Sequence, residues 1–257
     1  MLLKLFKILR LLLHIFYGVG VVTYHALFKR RTINDPPFAR AVSGWYQKSC
    51  EIIGLSVCVN GEPCTKPVLM VANHISWLDI VLLASVCNPR FLSKSEVRRW
   101  PLIGWAGEQL DTLFIKRGQR SASEAASAGI AAGLEAGDRI LIFPEGTTTD
   151  GQAIGRIHAR LFGAAISTET QVQPVVIHYT DANSESHSSE LIPYIGEQTL
   201  IANLWKLLEC ERPTAYVYCL APLSSAGKTR KALVAEVHAA MQRCLFESQT
   251  LQSAHSQ

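Results

Sequence analysis

At 257 residues with 48% apolar and 18% charged side chains, the chain is long enough to bury a full core and too apolar to be disordered or fibrous. Its seven cysteines are odd in number and show neither C-x-x-C nor Cys/His ligand spacing; neither a disulfide framework nor a metal site is expected, and reduced thiols facing a cytosol are the simplest account. Within the net charge of +4, residues 1–31 hold six basic side chains and no acid, while the remainder holds 19 basic against 21 acidic, which points one end of the chain at an anionic surface and gives no sign of a nucleic-acid partner.

That basic end surrounds an apolar run. Between Arg10 and Lys29 lie 18 residues without a formal charge, "LLLHIFYGVGVVTYHALF", and a helix of that length rises roughly 27 Å against a hydrocarbon core of roughly 30 Å. No small-x-small cleavage site follows the run, which argues against a removed signal peptide. Two readings stay open: a single transmembrane anchor, weakened by His14, His25 and two glycines, or an interfacial helix whose Lys4, Lys7 and Arg10 meet anionic headgroups. Either makes residues 1–31 a membrane-attachment helix at the cytoplasmic face, and membrane lipids its partners.

From residue 50 onward the pattern alternates as in an α/β domain. Strands are predicted at 55–60, 67–72, 90–93, 112–116, 139–143, 172–178 and 214–220. Helices are predicted over 80–86, from a capping box at Ser121 and Glu124 up to the stop at Gly137, over 153–165, and over 228–246. Residues 180–198 are polar and rich in turn formers, so an exposed loop is expected there, and 247–257 reads as a disordered tail. The fold class is therefore a mixed, largely parallel sheet flanked by helices, with the α/β domain over 32–246.

Four stretches stand out at predicted strand ends, where open parallel sheets place their ligands. After 67–72 comes Asn73-His74, with Asp79 five residues beyond the histidine. Ser76 and Asp79 have the spacing of a helix-capping box, which leaves His74 without a structural task. After 112–116 come Phe114, Lys116 and Arg117; after 139–143 come Pro144-Glu145-Gly146-Thr147-Thr148-Thr149; and Pro174 opens a further apolar strand. Taken singly, Lys116-Arg117 reads as a solvated turn, and Pro144 and Gly146 as punctuation.

In this order the four stretches resemble the glycerolipid acyltransferase family, best known for its lysophosphatidic acid acyltransferases. N-H-x-x-x-x-D is matched by Asn73, His74 and Asp79. The second block is matched by Phe114, Ile115 and Arg117, F-P-E-G-T by Phe143 to Thr147, and the proline-led strand around Pro174. The resemblance covers residues 67–178. It departs from the family at Asp111, where a glycine usually stands, and at Thr148-Thr149, where members acting on lysophosphatidic acid commonly carry Arg-Ser.

The resemblance implies transfer of a fatty acyl group from acyl-CoA or acyl carrier protein to the hydroxyl of a lysophospholipid, with lysophosphatidic acid as the leading acceptor. An amino-acid lysolipid such as lyso-ornithine lipid is the alternative that the Thr148 departure raises. In such a site His74 is the general base and Asp79 fixes its tautomer, as the acid does in a serine-protease triad. Phe114, Lys116, Arg117, Glu145, Gly146 and Thr147 are substrate-binding: Arg117 takes the anion, and Glu145 orients the acceptor's hydroxyl or an adjacent arginine or lysine. Amides near Gly146 or at the helix after Ser76 meet the oxyanion. No cofactor is implied beyond the thioester co-substrate. A hydrolase using the same dyad is a different class, and no G-x-S-x-G elbow supports it; a non-catalytic membrane-binding domain is another.

Overall fold

The computed structural model describes residues 2–29, 35–115, 120–182, 184 and 188–255. Helix α1 (Leu2–Tyr24) runs into a π-helical turn, His25–Lys29, and is followed by α2 (Pro36–Ile53). The remaining elements are β1 (Ser56–Asn60), β2 (Val68–Ala72), α3 (Leu78–Val86), β3 (Arg90–Lys94), α4 (Ile103–Gln109), β4 (Leu113–Ile115) and α5 (Arg120–Glu135). After these come β5 (Arg139–Ile142), α6 (Phe162–Ser167), β6 (Val172–Thr180), α7 (Leu200–Leu207), β7 (Thr214–Cys219) and α8 (Arg230–His255).

The seven strands form one sheet in the order β1-β7-β6-β2-β5-β3-β4. β6, β2, β5, β3 and β4 run parallel, while β7 is antiparallel to β6 and carries β1 parallel to itself. β2, Val-Leu-Met-Val-Ala, is buried at every position, as a parallel strand covered on both faces must be, and this is why an unbroken apolar run encodes it. Two cores result. On one face Met70, Leu82, Leu83, Val175 and Ile177 pack with α2, α3 and α7. On the other Leu69, Val71, Ile130, Phe162, Val237 and Met241 pack with α5, α6 and α8.

All seven predicted strands are present, β6 running two residues further than expected. Helix α2 was not anticipated, although Pro36 and Pro37 at its start and Gly54 at its end (φ 93°) are ordinary helix punctuation. Residues 153–158 are not helical as predicted. The backbone there is held by other groups: Gly155 N–H donates to Glu145 and His158 N–H to the Pro144 carbonyl, so only a short turn at Ala159–Leu161 and α6 remain helical. The polar stretch 180–198 is less exposed than predicted, with Ser188, Ser189 and Ile192 buried. Of the stretch 247–257 expected as a tail, the described residues continue α8 to His255, with Ser248 buried and bonded to His178.

Helix α1 leaves most of its apolar side chains uncovered, Leu2, Leu5, Leu9, Leu13 and Phe16 among them, and it is long and apolar enough to cross a membrane. Its other side docks on the domain. His14 stacks on Trp45 of α2 with ring centroids 4.9 Å apart, and Trp45 Nε1–H donates to the His14 carbonyl at 2.9 Å. Lys7 donates to the Ile53 carbonyl at the C-terminal end of α2, and Lys4 pairs with Glu209. The two lysines expected to meet headgroups are thus turned onto the protein, and His14 and Gly18, which read as flaws in a spanning helix, form its docking stripe.

Asn73 extends β2 by proxy. Its side-chain amide donates to the Ile177 carbonyl at 2.9 Å and accepts the Ile177 N–H at 2.8 Å, all three groups buried. Asn73→Ala strands both backbone groups without a water partner, and is expected to cost about 2–4 kcal/mol in denaturant unfolding; an unchanged midpoint and slope would show that the clamp contributes nothing.

Candidate active site

The loops leaving β2 and β5, two paired neighbours, meet the end of β6 at one edge of the sheet, the place where the crossover pattern opens a crevice. His74 stands in the first loop. Its Nδ1 lies 2.8 Å from Asp79 Oδ2, and the ring stacks on Phe143 with centroids 4.0 Å apart and planes 15° apart. The imidazole is 19% exposed and the Asp79 side chain 0%, so the ring can be reached from outside while its partner cannot. His74 Nε2 has no hydrogen-bond partner among the described residues.

Asp79 accepts four hydrogen bonds: from His74 Nδ1–H, from the Ile75 and Ser76 amides at 2.7 and 3.0 Å, and from the Tyr179 hydroxyl at 2.8 Å. Both oxygens of the buried carboxyl group are thereby supplied with hydrogen-bond donors. Burial, together with the neighbouring Asp79 charge, holds the Tyr179 hydroxyl well above the ordinary tyrosine range, so it remains a donor. Asp79 thus reaches back as a capping-box residue and holds His74 as well. The other half of the predicted box is absent: Trp77 is the N-cap, without a side-chain cap bond, and Ser76 Oγ is buried with no partner.

Glu145, expected to act on the acceptor, bonds two backbone amides in this structure. Oε1 accepts the His74 N–H at 2.9 Å and Oε2 accepts the Gly155 N–H at 3.0 Å, so both oxygens are committed to backbone. Burial pushes its carboxyl up, and the two amides oppose that shift. A side chain at Gly155 would sit 2.5 Å from Oε2, which explains the glycine there. Gly146 turns the chain at φ 76° and donates to the Phe143 carbonyl. Around the dyad the Ile75 and Ser76 amides are taken by Asp79 and the Gly146 amide by the Phe143 carbonyl.

Thr147 is exposed. Thr149 N–H donates to the His74 carbonyl at 2.8 Å, and Thr148 Oγ1 donates to the Tyr194 carbonyl, whose own amide donates to Ile75. The two threonines therefore tie the loop before α7 to the histidine turn. Phe114 lies on β4, three strands from β2 or roughly 14 Å, with its ring near Gly107 of α4. Lys116 and Arg117 lie outside the described residues.

Sequence reasoning missed Tyr179, Gly155 and the ring-stacking role of Phe143. Tyr179 had a signal: in β6 it shares the face of Val175 and Ile177 by the two-residue strand period, one position past where the strand was predicted to end.

The class of protein that carries this sheet and this histidine-carboxylate pair follows from its likeness to known proteins. Residues 56–178 match the family model described as Acyltransferase. Lyso-ornithine lipid O-acyltransferase of Pseudomonas aeruginosa is 37% identical over 92% of this chain and 91% of that protein. The 1-acyl-sn-glycerol-3-phosphate acyltransferase of Neisseria meningitidis is 30% identical over 64% of each. The crystal structure of the 1-acyl-sn-glycerophosphate (LPA) acyltransferase PlsC from Thermotoga maritima superposes with a TM-score of 0.71 at 22% identity, covering 96% of this chain and 94% of that one. The chain belongs to the glycerolipid acyltransferase family and is an acyltransferase enzyme.

Glu145→Gln places an amide N–H₂ against one of two backbone N–H donors. We expect a loss of about 1–3 kcal/mol, read as a fall in Tm of roughly 2–4 °C per kcal/mol; an unshifted Tm would mean the carboxylate is not holding the two loops.

Proposed function

We propose that the enzyme esterifies the free hydroxyl of a lysolipid with a fatty acyl group from a thioester donor, acyl-CoA or acyl carrier protein, using His74 as general base. The observation that carries this is the unpartnered Nε2 of an imidazole whose Nδ1 is held by the fully buried Asp79. His74 Nε2 takes the hydroxyl proton as the oxygen attacks the thioester carbonyl, and the tetrahedral adduct collapses with cleavage of the C–S bond. The imidazolium, stabilised by Asp79, returns the proton to the departing sulfur. No enzyme nucleophile takes part, and Arg117 is the proposed anion-binding residue by family resemblance.

For the acceptor, the lyso-ornithine type is supported over lysophosphatidic acid by two observations. The P. aeruginosa relative aligned over nearly its whole length carries that name. At Thr148, where an arginine would meet a phosphate, a hydroxyl is spent on the Tyr194 carbonyl. We further propose that α1 lies on the cytoplasmic face of the membrane with its apolar side down, since its polar stripe is occupied by α2 and Glu209.

Purified enzyme offered lyso-ornithine lipid and lysophosphatidic acid, with both thioester donors, should yield mainly the ornithine diacyl product by mass spectrometry. His74→Ala should lower kcat by roughly 10²–10⁴. Phosphatidic acid as the main product would reverse the acceptor, free fatty acid alone would make the protein a hydrolase, and undiminished turnover by His74→Ala would remove the base.

A further inference from the structure

A cleft of about 530 Å³ opens between the chain just after Gly155 and the N-terminal half of α8. Arg156, Arg230, Lys231 and His238 line it, with Ile157 and Val234 supplying apolar surface between them. None of the four cationic or imidazole side chains has an ion pair or hydrogen bond with a described residue, whereas nearby Lys228 is paired with Glu236. The arrangement also runs against the helix that carries it. Arg230 and Lys231 occupy the first turn of α8, which holds no acid, so two positive charges face the positive end of the helix dipole. Local arrangements that cost stability without return are expected where a ligand supplies the return.

We propose that this cleft binds the nucleotide end of an acyl-CoA donor, its 3′-phosphate and diphosphate on the cationic rim and its adenine on the apolar surface. The proposal rests on the thioester-donor reading above and specifies which donor and where. The cleft has the volume of small-molecule sites, which run about 300–1,000 Å³, and it is shallow and open on its solvent side, so a ligand there is held on one face. Arginine's planar fork suits phosphate.

Position supports it too. The cleft wall is bonded directly to the active-site turns: Gly155 N–H donates to the carboxylate that also accepts His74 N–H, and His158 N–H donates to the Pro144 carbonyl. A nucleotide held at Arg156 therefore directs its pantetheine arm toward the ends of β2 and β5. The cleft lies with α8 on one sheet face, and the exposed apolar residues of α1 lie with α2 on the other.

The test uses the full-length protein and the double variant Arg230→Glu/Lys231→Glu. Acids in the first turn suit the helix dipole, so the variant should be at least as thermostable as wild type. Calorimetric titration with adenosine 3′,5′-bisphosphate and with CoA should show Kd raised about tenfold or more. KM for acyl-CoA should rise in parallel while KM for the lysolipid holds, and the preference for acyl-CoA over acyl-pantetheine, which lacks the nucleotide, should fall. Equal nucleotide binding by both proteins would overturn the proposal, as would a loss confined to carrier-borne thioester, which would make the cleft a protein-docking face. If wild type transfers no acyl group, the donor reading fails by itself and the nucleotide titration still decides the cleft.

Discussion

A negative charge buried with no exposure has to be met by donors, and at Asp79 the donors come from three places in the chain. Two are amides of its own turn, one is the His74 ring, and one is Tyr179, 100 residues away on β6. Removing any partner leaves a desolvated carboxylate short of a hydrogen bond, which is costly in a low-dielectric interior. The carboxylate therefore does more than orient the imidazole. It requires that the β2 loop, the start of α3 and the end of β6 keep one arrangement, and the ring inherits that rigidity.

Glu145 repeats the device from the other side. Asp79 fixes the His74 side chain, and Glu145 fixes the His74 backbone and ties it to Gly155. Phe143 sets the ring plane. A single histidine is thus held through its ring nitrogen, its ring face and its amide by residues from two adjacent strand ends, with Nε2 left over for chemistry. Such restraint keeps a base within productive reach of a substrate.

Much of this was legible in the residues, for identifiable reasons. The strands announced themselves because parallel strands buried on both faces are written as unbroken apolar runs such as Val68 to Ala72. The His74–Asp79 contact was legible because five residues spanning a strand end and a helix start bring the two side chains together locally. What escaped was long-range. Nothing near Glu145 says that its oxygens face two backbone amides, and the apolar spacing of Ile154, Ile157 and Leu161 looked helical because competition from Glu145 and Pro144 for that backbone is not visible in a periodicity. Ser76 met the spacing of a cap, yet Asp79 took the amides first. Nothing in the sequence singles out Arg230 and Lys231, and only their place beside Arg156 gives them a meaning.

The account depends on the Asp79 carboxylate holding the His74 proton on Nδ1, so that Nε2 carries a lone pair toward the acceptor. The most direct measurement is the ¹⁵N spectrum of the protein labelled at histidine, with the His74 signals assigned by loss in His74→Ala and recorded at a pH where the ring is neutral. The account predicts a protonated Nδ1, strongly deshielded by the carboxylate, and an unprotonated Nε2, with that preference lost in Asp79→Asn. A His74 ring carrying its proton on Nε2 in the wild type would contradict it.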